Sequence, residues 1–299
     1  MKELNTHPEQ EFPVAVRRPQ FNAALLRQVP HRLAKQAALL SLSLLILFPL
    51  YFMFNNSLKQ RTEFLGNQLA LPENPTLKNF ISVLQHPHLL GWFGNSVFLT
   101  FVSVSICTLV AILAAYAFAN MSFRGRDMLF SLITPLMVIP PIVMVIPLFV
   151  LFRQWDLVNN LWGPILIYSG LMLPFTIFLL RNFFVTIPHE IQEAARMDGA
   201  NDFQLLTQID LPLLRPAIIT SMIVNAVWVW NELLIALVFL QTEELRTLIV
   251  GISVSLQKRF TLDVPALMAG LAVATLPMIL LYIIGQRALV RGLVSGFEK

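Results

Sequence analysis

The sequence predicts an all-α integral membrane protein of about six transmembrane helices, with a cytoplasmic helical hairpin between the fifth span and the one before it. Three observations carry this. The composition is 56% hydrophobic and 13% charged, where a soluble globular domain averages about 25% charged residues. Six stretches reach the roughly 20 apolar residues that a crossing requires: 37–54, 95–119, 128–152, 161–180, 217–240 and 266–289. Between the fourth and fifth lies EAARMDGANDFQLLTQIDLP (193–212), a charged, punctuated segment that has no place inside a bilayer.

Residues 1–36 form a polar N-terminal tail, in which RPQFNAALLRQVPHRLAKQ reads either as a basic amphipathic helix lying on a membrane surface or as plain disorder. The rest, 37–299, reads as one transmembrane domain. The first span lacks a small-x-small cleavage site after it and is expected to be retained. The external loop 56–94 is the longest, and TLIVGISVSL (247–256) is too short to cross and is expected in a loop. Lys and Arg orient the chain. With both termini cytoplasmic, the inside set includes Arg17, Arg18, Arg124, Arg126, Arg181, Arg196, Arg215 and Arg287. That set is about twice the outside one, which includes Lys59, Arg61, Arg153 and Lys258. The basic balance (pI about 9.5) therefore belongs to span flanks, with no nucleic acid implied. One cysteine, Cys107, excludes an internal disulfide.

Local signals specify the hairpin. Pro188 suits a first helical turn, where its missing N–H is no loss, and HEIQEAARMD supplies good helix formers. Gly199 stands where a left-handed C-terminal cap is needed. Asn201 with Gln204 makes a capping box for a second helix, expected to stop before Pro212. Small Ala194 and Ala195, flanked by acidic Glu193 and Asp198, form a smooth patch suited to docking against a soluble partner. The plainer reading is a cytoplasmic loop helix with no partner.

Polar residues at membrane depth are costly, and the fifth span concentrates them. Ser221, Asn225, Trp228, Asn231 and Glu232 fall at helical spacing on one face. Two readings stand: the face lines a solute path, with Trp228 offering a flat surface, or Asn231 and Glu232 bond across to a neighbouring helix. Trp230 points elsewhere. Ser103, Cys107, Ala111, Ala115 and Ala119 make a stripe for close helix contact, as do Ala266, Gly270 and Ala274. Pro135, Pro140, Pro141 and Pro147 interrupt the third span, and Pro164 and Pro174 the fourth. His86 and His88 stand without carboxylate or cysteine nearby, so no metal site is expected.

The string Glu193-Ala194-Ala195, three residues, Gly199, nine residues, Ile209-x-Leu211-Pro212 resembles the EAA motif of binding-protein-dependent ABC importer permeases. GNSVFLT (94–100), FRGR (123–126), RNFFVTIP (181–188), WNELLIAL (230–237) and QRALVRGLVSG (286–296) resemble the carbohydrate-uptake, maltose-type branch of that family. The likeness runs from about residue 38 onward. It implies a multi-pass permease subunit of a bacterial inner membrane that pairs with a second permease subunit as a hetero-dimer and forms half of the pathway. It further implies two cytoplasmic ATPase subunits that bind ATP and Mg, and an extracytoplasmic solute-binding protein. Glu193, Ala194, Ala195, Asp198 and Gly199 would be the ATPase-coupling residues. No G-x-x-x-x-G-K-[ST] loop occurs in the chain, so no ATPase of that type and no cofactor of its own are expected. The spans carry no Lys or Arg cluster, which favours a neutral carbohydrate or polyol without excluding glycerol phosphate. The rival from another class is an ion-coupled secondary carrier using Glu232.

Overall fold

The computed structural model describes residues 23–255, 257–258 and 261–295, with side chains placed for 34–255 and 263–286. The tail residues 1–22, and the charges assigned to Arg259 and Lys299, lie outside the described residues. The chain divides into two compact units, residues 1–51 and 52–299.

The first unit holds most of helix α1 (Ala23–Ser57). The helix runs unbroken through the expected boundary between tail and span at 36/37. Strong helix formers at 33–38 favour this, and a helix entering a bilayer keeps its backbone groups bonded within the segment. Leu44, Leu45 and Ile46 are all exposed, as lipid-facing side chains are.

In the second unit, α2 (Arg61–Gly66) and α3 (Lys78–Leu84) precede α4 (Leu89–Asn120). Lys59 is fully buried and donates Nζ to the carbonyls of Asn67 and Gln68, fastening the segment between α1 and α4. The centre is α4 packed along α7 (Trp162–Phe184). Ser103, Cys107, Ala111 and Ala115 are fully buried, so the two backbones approach closely at the predicted stripe. The third span is broken into α5 (Arg126–Ile133), a 3-10 turn (Thr134–Val138) and α6 (Pro141–Gln154), with a bend of 103°. Pro140 and Pro141 lack the amide donors that a continuous helix would use.

Two expectations fail around the fifth span. The helix opened by α9 (Asp202–Gln204) does not stop before Pro212. It widens into a π-helical turn (Leu205–Asp210) and runs on as α10 (Leu211–Asn231). Pro212 falls in the first turn of α10, and the π turn before it accommodates the carbonyl that a proline displaces. At the other end the helix stops at Asn231 rather than 240. The backbone turns extended at Glu232 (ψ 123°), and a short α11 (Leu234–Phe239) follows.

Residues 247–256 were expected in a loop; instead α12 (Leu248–Ser255) is a short helix with Leu248, Val250, Gly251 and Ile252 buried. It is apolar because it packs into the protein, on Trp92 of α4 among others. A two-residue antiparallel pair, Gln257–Lys258 with Thr261–Leu262, leads to α13 (Val264–Ser295). Trp230 is buried and donates Nε1 to the Ala274 carbonyl of α13 at 3.0 Å, so it serves the α10–α13 contact. By length and composition five described helices can cross a membrane, or six if the bent third pair is one span.

Candidate functional site

The hairpin is built as its punctuation requires. Pro188 precedes α8 (His189–Met197), and the helix ends in a Schellman arrangement. There Gly199 (φ +88°) donates to the Arg196 carbonyl and Ala200 to the Ala195 carbonyl. The capping box is complete: the Asn201 N–H donates to Gln204 Oε1 and the Gln204 N–H to Asn201 Oδ1, both at 2.9 Å. Arg196 bridges the turn to Asp202 at 2.7 Å.

No residue of α8 is buried. Glu193, Ala194, Asp198 and Gly199 are exposed and Ala195 half-buried, leaving the acidic and small surface open. The structure adds three apolar side chains that the sequence reading missed: Ile191 (42% exposed), Met197 (88%) and Phe203 (73%). Their signal was available, since a soluble-looking hairpin seldom presents Met and Phe outward without a partner. On its inner side the hairpin is fastened to the end of α4. Tyr116 donates Oη to the Asp202 carbonyl at 3.3 Å, and Asp210 accepts from Asn120 and from Gln192 of α8.

The predicted polar face of the fifth span separates into different environments. A cavity of about 340 Å³ opens between the broken third span, α7 and α10, with Ile139, Pro141, Phe175, Val224, Asn225 and Trp228 on its wall. Asn225 donates Nδ2 to Thr176 Oγ1 at 2.9 Å, and Cys107 meets the same oxygen at 3.5 Å, joining α4, α7 and α10 at one point. Trp228 stands edge-to-face with Tyr168 of α7, ring centroids 5.7 Å apart.

Ser221 is fully buried and donates to the Ile218 carbonyl of its own helix. Asn231 is exposed and bonds back to the Val227 carbonyl, so it does not bridge to a neighbour. Glu232 does. It lies in the break after α10 rather than inside a span, accepts the Tyr168 hydroxyl, and caps α11 by accepting from the N–H groups of Ile235 (2.9 Å) and Ala236 (3.2 Å). Its oxygens are committed to holding a broken helix in place, which leaves little for an ion-coupled carrier to use. Among the described residues no group of His, Cys, Asp and Glu could hold a metal.

Residues 107–295 match the family described as binding-protein-dependent transport system inner membrane component. The sulfoquinovosyl glycerol transport system permease protein of Agrobacterium fabrum is 33% identical over 254 residues, covering 85% of this chain and 89% of that protein. The arabinooligosaccharides transport system permease protein of Halalkalibacterium halodurans is 31% identical over 262 residues, covering 86% and 93%. A solved bacterial ABC transporter involved in the import of the acidic polysaccharide alginate superposes with a TM-score of 0.76 at 25% identity, covering 87% of this chain and 97% of that one. Both ends of the molecule, the fastened hairpin and the broken spans around a cavity, thus sit on a framework shared with transport permeases: the chain belongs to the family of binding-protein-dependent inner membrane components and is a permease subunit of an ABC importer.

Proposed function

We propose that this subunit forms half of a pathway for a carbohydrate or polyol and draws its energy from separate ATPase subunits through the hairpin 188–212. The observation that carries the reading is α8 with the turn after it: a helix closed by a Schellman cap, with no buried side chain, and with Glu193, Ala194, Met197, Asp198 and Phe203 exposed. A helix so specified and so bare is a docking element whose apolar anchors would enter a groove on the ATPase. Two ATPase subunits binding ATP and Mg, a second and different permease subunit, and an extracytoplasmic solute-binding protein complete the assembly. It sits in the bacterial inner membrane with both termini cytoplasmic.

The carbohydrate reading is supported by the relatives' substrates and by the cavity wall, where Asn225 offers a carbonyl oxygen that accepts no hydrogen bond among the described residues and Trp228 an aromatic surface. No charged side chain lines that cavity. The test is purification of tagged protein in gentle detergent, with ATP hydrolysis measured on whatever co-purifies. A P-loop ATPase should be recovered with the wild type. Recovery should fall about tenfold with Glu193→Lys, which reverses a charge on the docking surface and removes no hydrogen bond within the chain. Equal recovery from the variant would remove Glu193 from the interface.

A further inference from the structure

We propose that Asp210 is a positioning residue for coupling, the joint through which movement of α8 reaches the transmembrane helices. This deepens the docking reading above and rests on it. Since α8 buries no side chain fully, its apolar packing on the rest of the chain is only partial. Among the described residues its side chains make two polar links to the rest of the chain. One, Arg196 to Asp202, is exposed and stays within the hairpin. The other joins Gln192 Nε2 to both carboxylate oxygens of Asp210, at 3.2 and 3.3 Å.

Asp210 is fully buried and ends the π turn that feeds α10. Its Oδ2 also accepts from Asn120 Nδ2 at 3.1 Å, at the last residue of α4. One carboxylate therefore ties the docking helix to the ends of two membrane helices. Neither ion pair found among the described residues includes it. Arg196 acts on it only from a distance, and a carboxylate buried without a direct ion pair costs stability that an apolar residue of similar volume would not. What the carboxylate supplies is directional contact to two elements at once. From Asn120, α4 runs to Cys107, whose bond to Thr176 adjoins Asn225 on the cavity wall. The π turn is itself a rare register, and such turns concentrate at functional positions.

The test needs no solute. In a Cys107→Ser background, which keeps a hydroxyl to meet Thr176, Val224→Cys places a thiol on the cavity wall, and its modification rate by a methanethiosulfonate reagent is measured on the assembled complex with and without ATP plus vanadate. Asp210→Leu should keep ATP hydrolysis yet reduce an ATP-dependent rate change of about tenfold to under about twofold, the scale of ordinary inter-site coupling. Asp210→Asn should largely restore the change, because its amide can still meet both partners by rotation. An Asp210→Leu complex that responds as the wild type does would overturn the joint. If that variant fails to assemble, Gln192→Leu decides the matter: a lost response supports the joint and an intact one overturns it. A wild-type complex that recovers no ATPase would instead overturn the docking reading, and the joint with it.

Discussion

At the residue scale, Glu232 shows how one carboxylate can be read two ways from sequence and one way from structure. Within an apolar run it suggests a titrating group for ion coupling; in the fold it holds Tyr168 and the first turn of α11. Glu232→Ala should therefore cost ~2 kcal/mol, the sum of a lost cap and an orphaned hydroxyl, measurable by thermal unfolding in detergent. Glu232→Gln keeps an acceptor and should lower uptake only several-fold. In both, uptake should follow ATP and ignore a protonophore, and sensitivity to the protonophore would contradict the importer mechanism. Trp228→Ala, which strips the aromatic wall beside Asn225, should reduce uptake about tenfold with normal insertion, equivalent to ~1.4 kcal/mol. An unchanged transport rate would place the solute elsewhere.

At the scale of elements, two glycines separate two kinds of constraint. Gly199 needs its left-handed backbone (φ +88°), but a Cβ there would meet nothing within 4 Å. Gly199→Ala should thus cost only about 1 kcal/mol of strain, loosening the hairpin and lowering ATPase recovery a few-fold. Gly251 of α12 has ordinary dihedrals but no room, since a Cβ would stand 2.2 Å from the Trp92 ring. Gly251→Ala should cost about 1–3 kcal/mol by overpacking, seen as lost yield of folded protein with ATPase docking intact in what remains. The first of these glycines was legible in the sequence and the second was not. Pro188, Gly199 and the Asn201–Gln204 box are local chemistry, so their spacing reveals them. The buried α12, the π turn that carries the helix past Pro212, and the break at Glu232 depend on distant partners such as Trp92, Asn120 and Tyr168. None of those lies close enough in sequence to leave a periodic trace. The five polar residues of the fifth span shared a face on paper. They divided in space because the helix ends at Asn231, Ser221 bonds within its own helix, and neighbouring helices claim Asn225 and Glu232.

For the whole molecule, everything turns on which side the hairpin faces, because an ATPase is available on only one. The Lys and Arg count predicts that the 120–127 turn and residues 181–215 lie inside. The fold agrees internally, since the ends of α4 and α7 and the start of α10 gather at the hairpin through Tyr116, Asn120 and Asp210. The segment 56–76, fastened by buried Lys59, follows α1 and precedes α4, and so belongs to the opposite face. Met197 and Leu71 are well exposed, at 88% and 70%, and make suitable reporters for each face. In a Cys107→Ala background, a membrane-impermeant maleimide applied to intact spheroplasts should label Leu71→Cys and spare Met197→Cys until the membrane is opened. Labelling of Met197→Cys from outside would put α8 on the side without ATP. That would end both the docking of the hairpin and the direction of import, because a lever must face its motor.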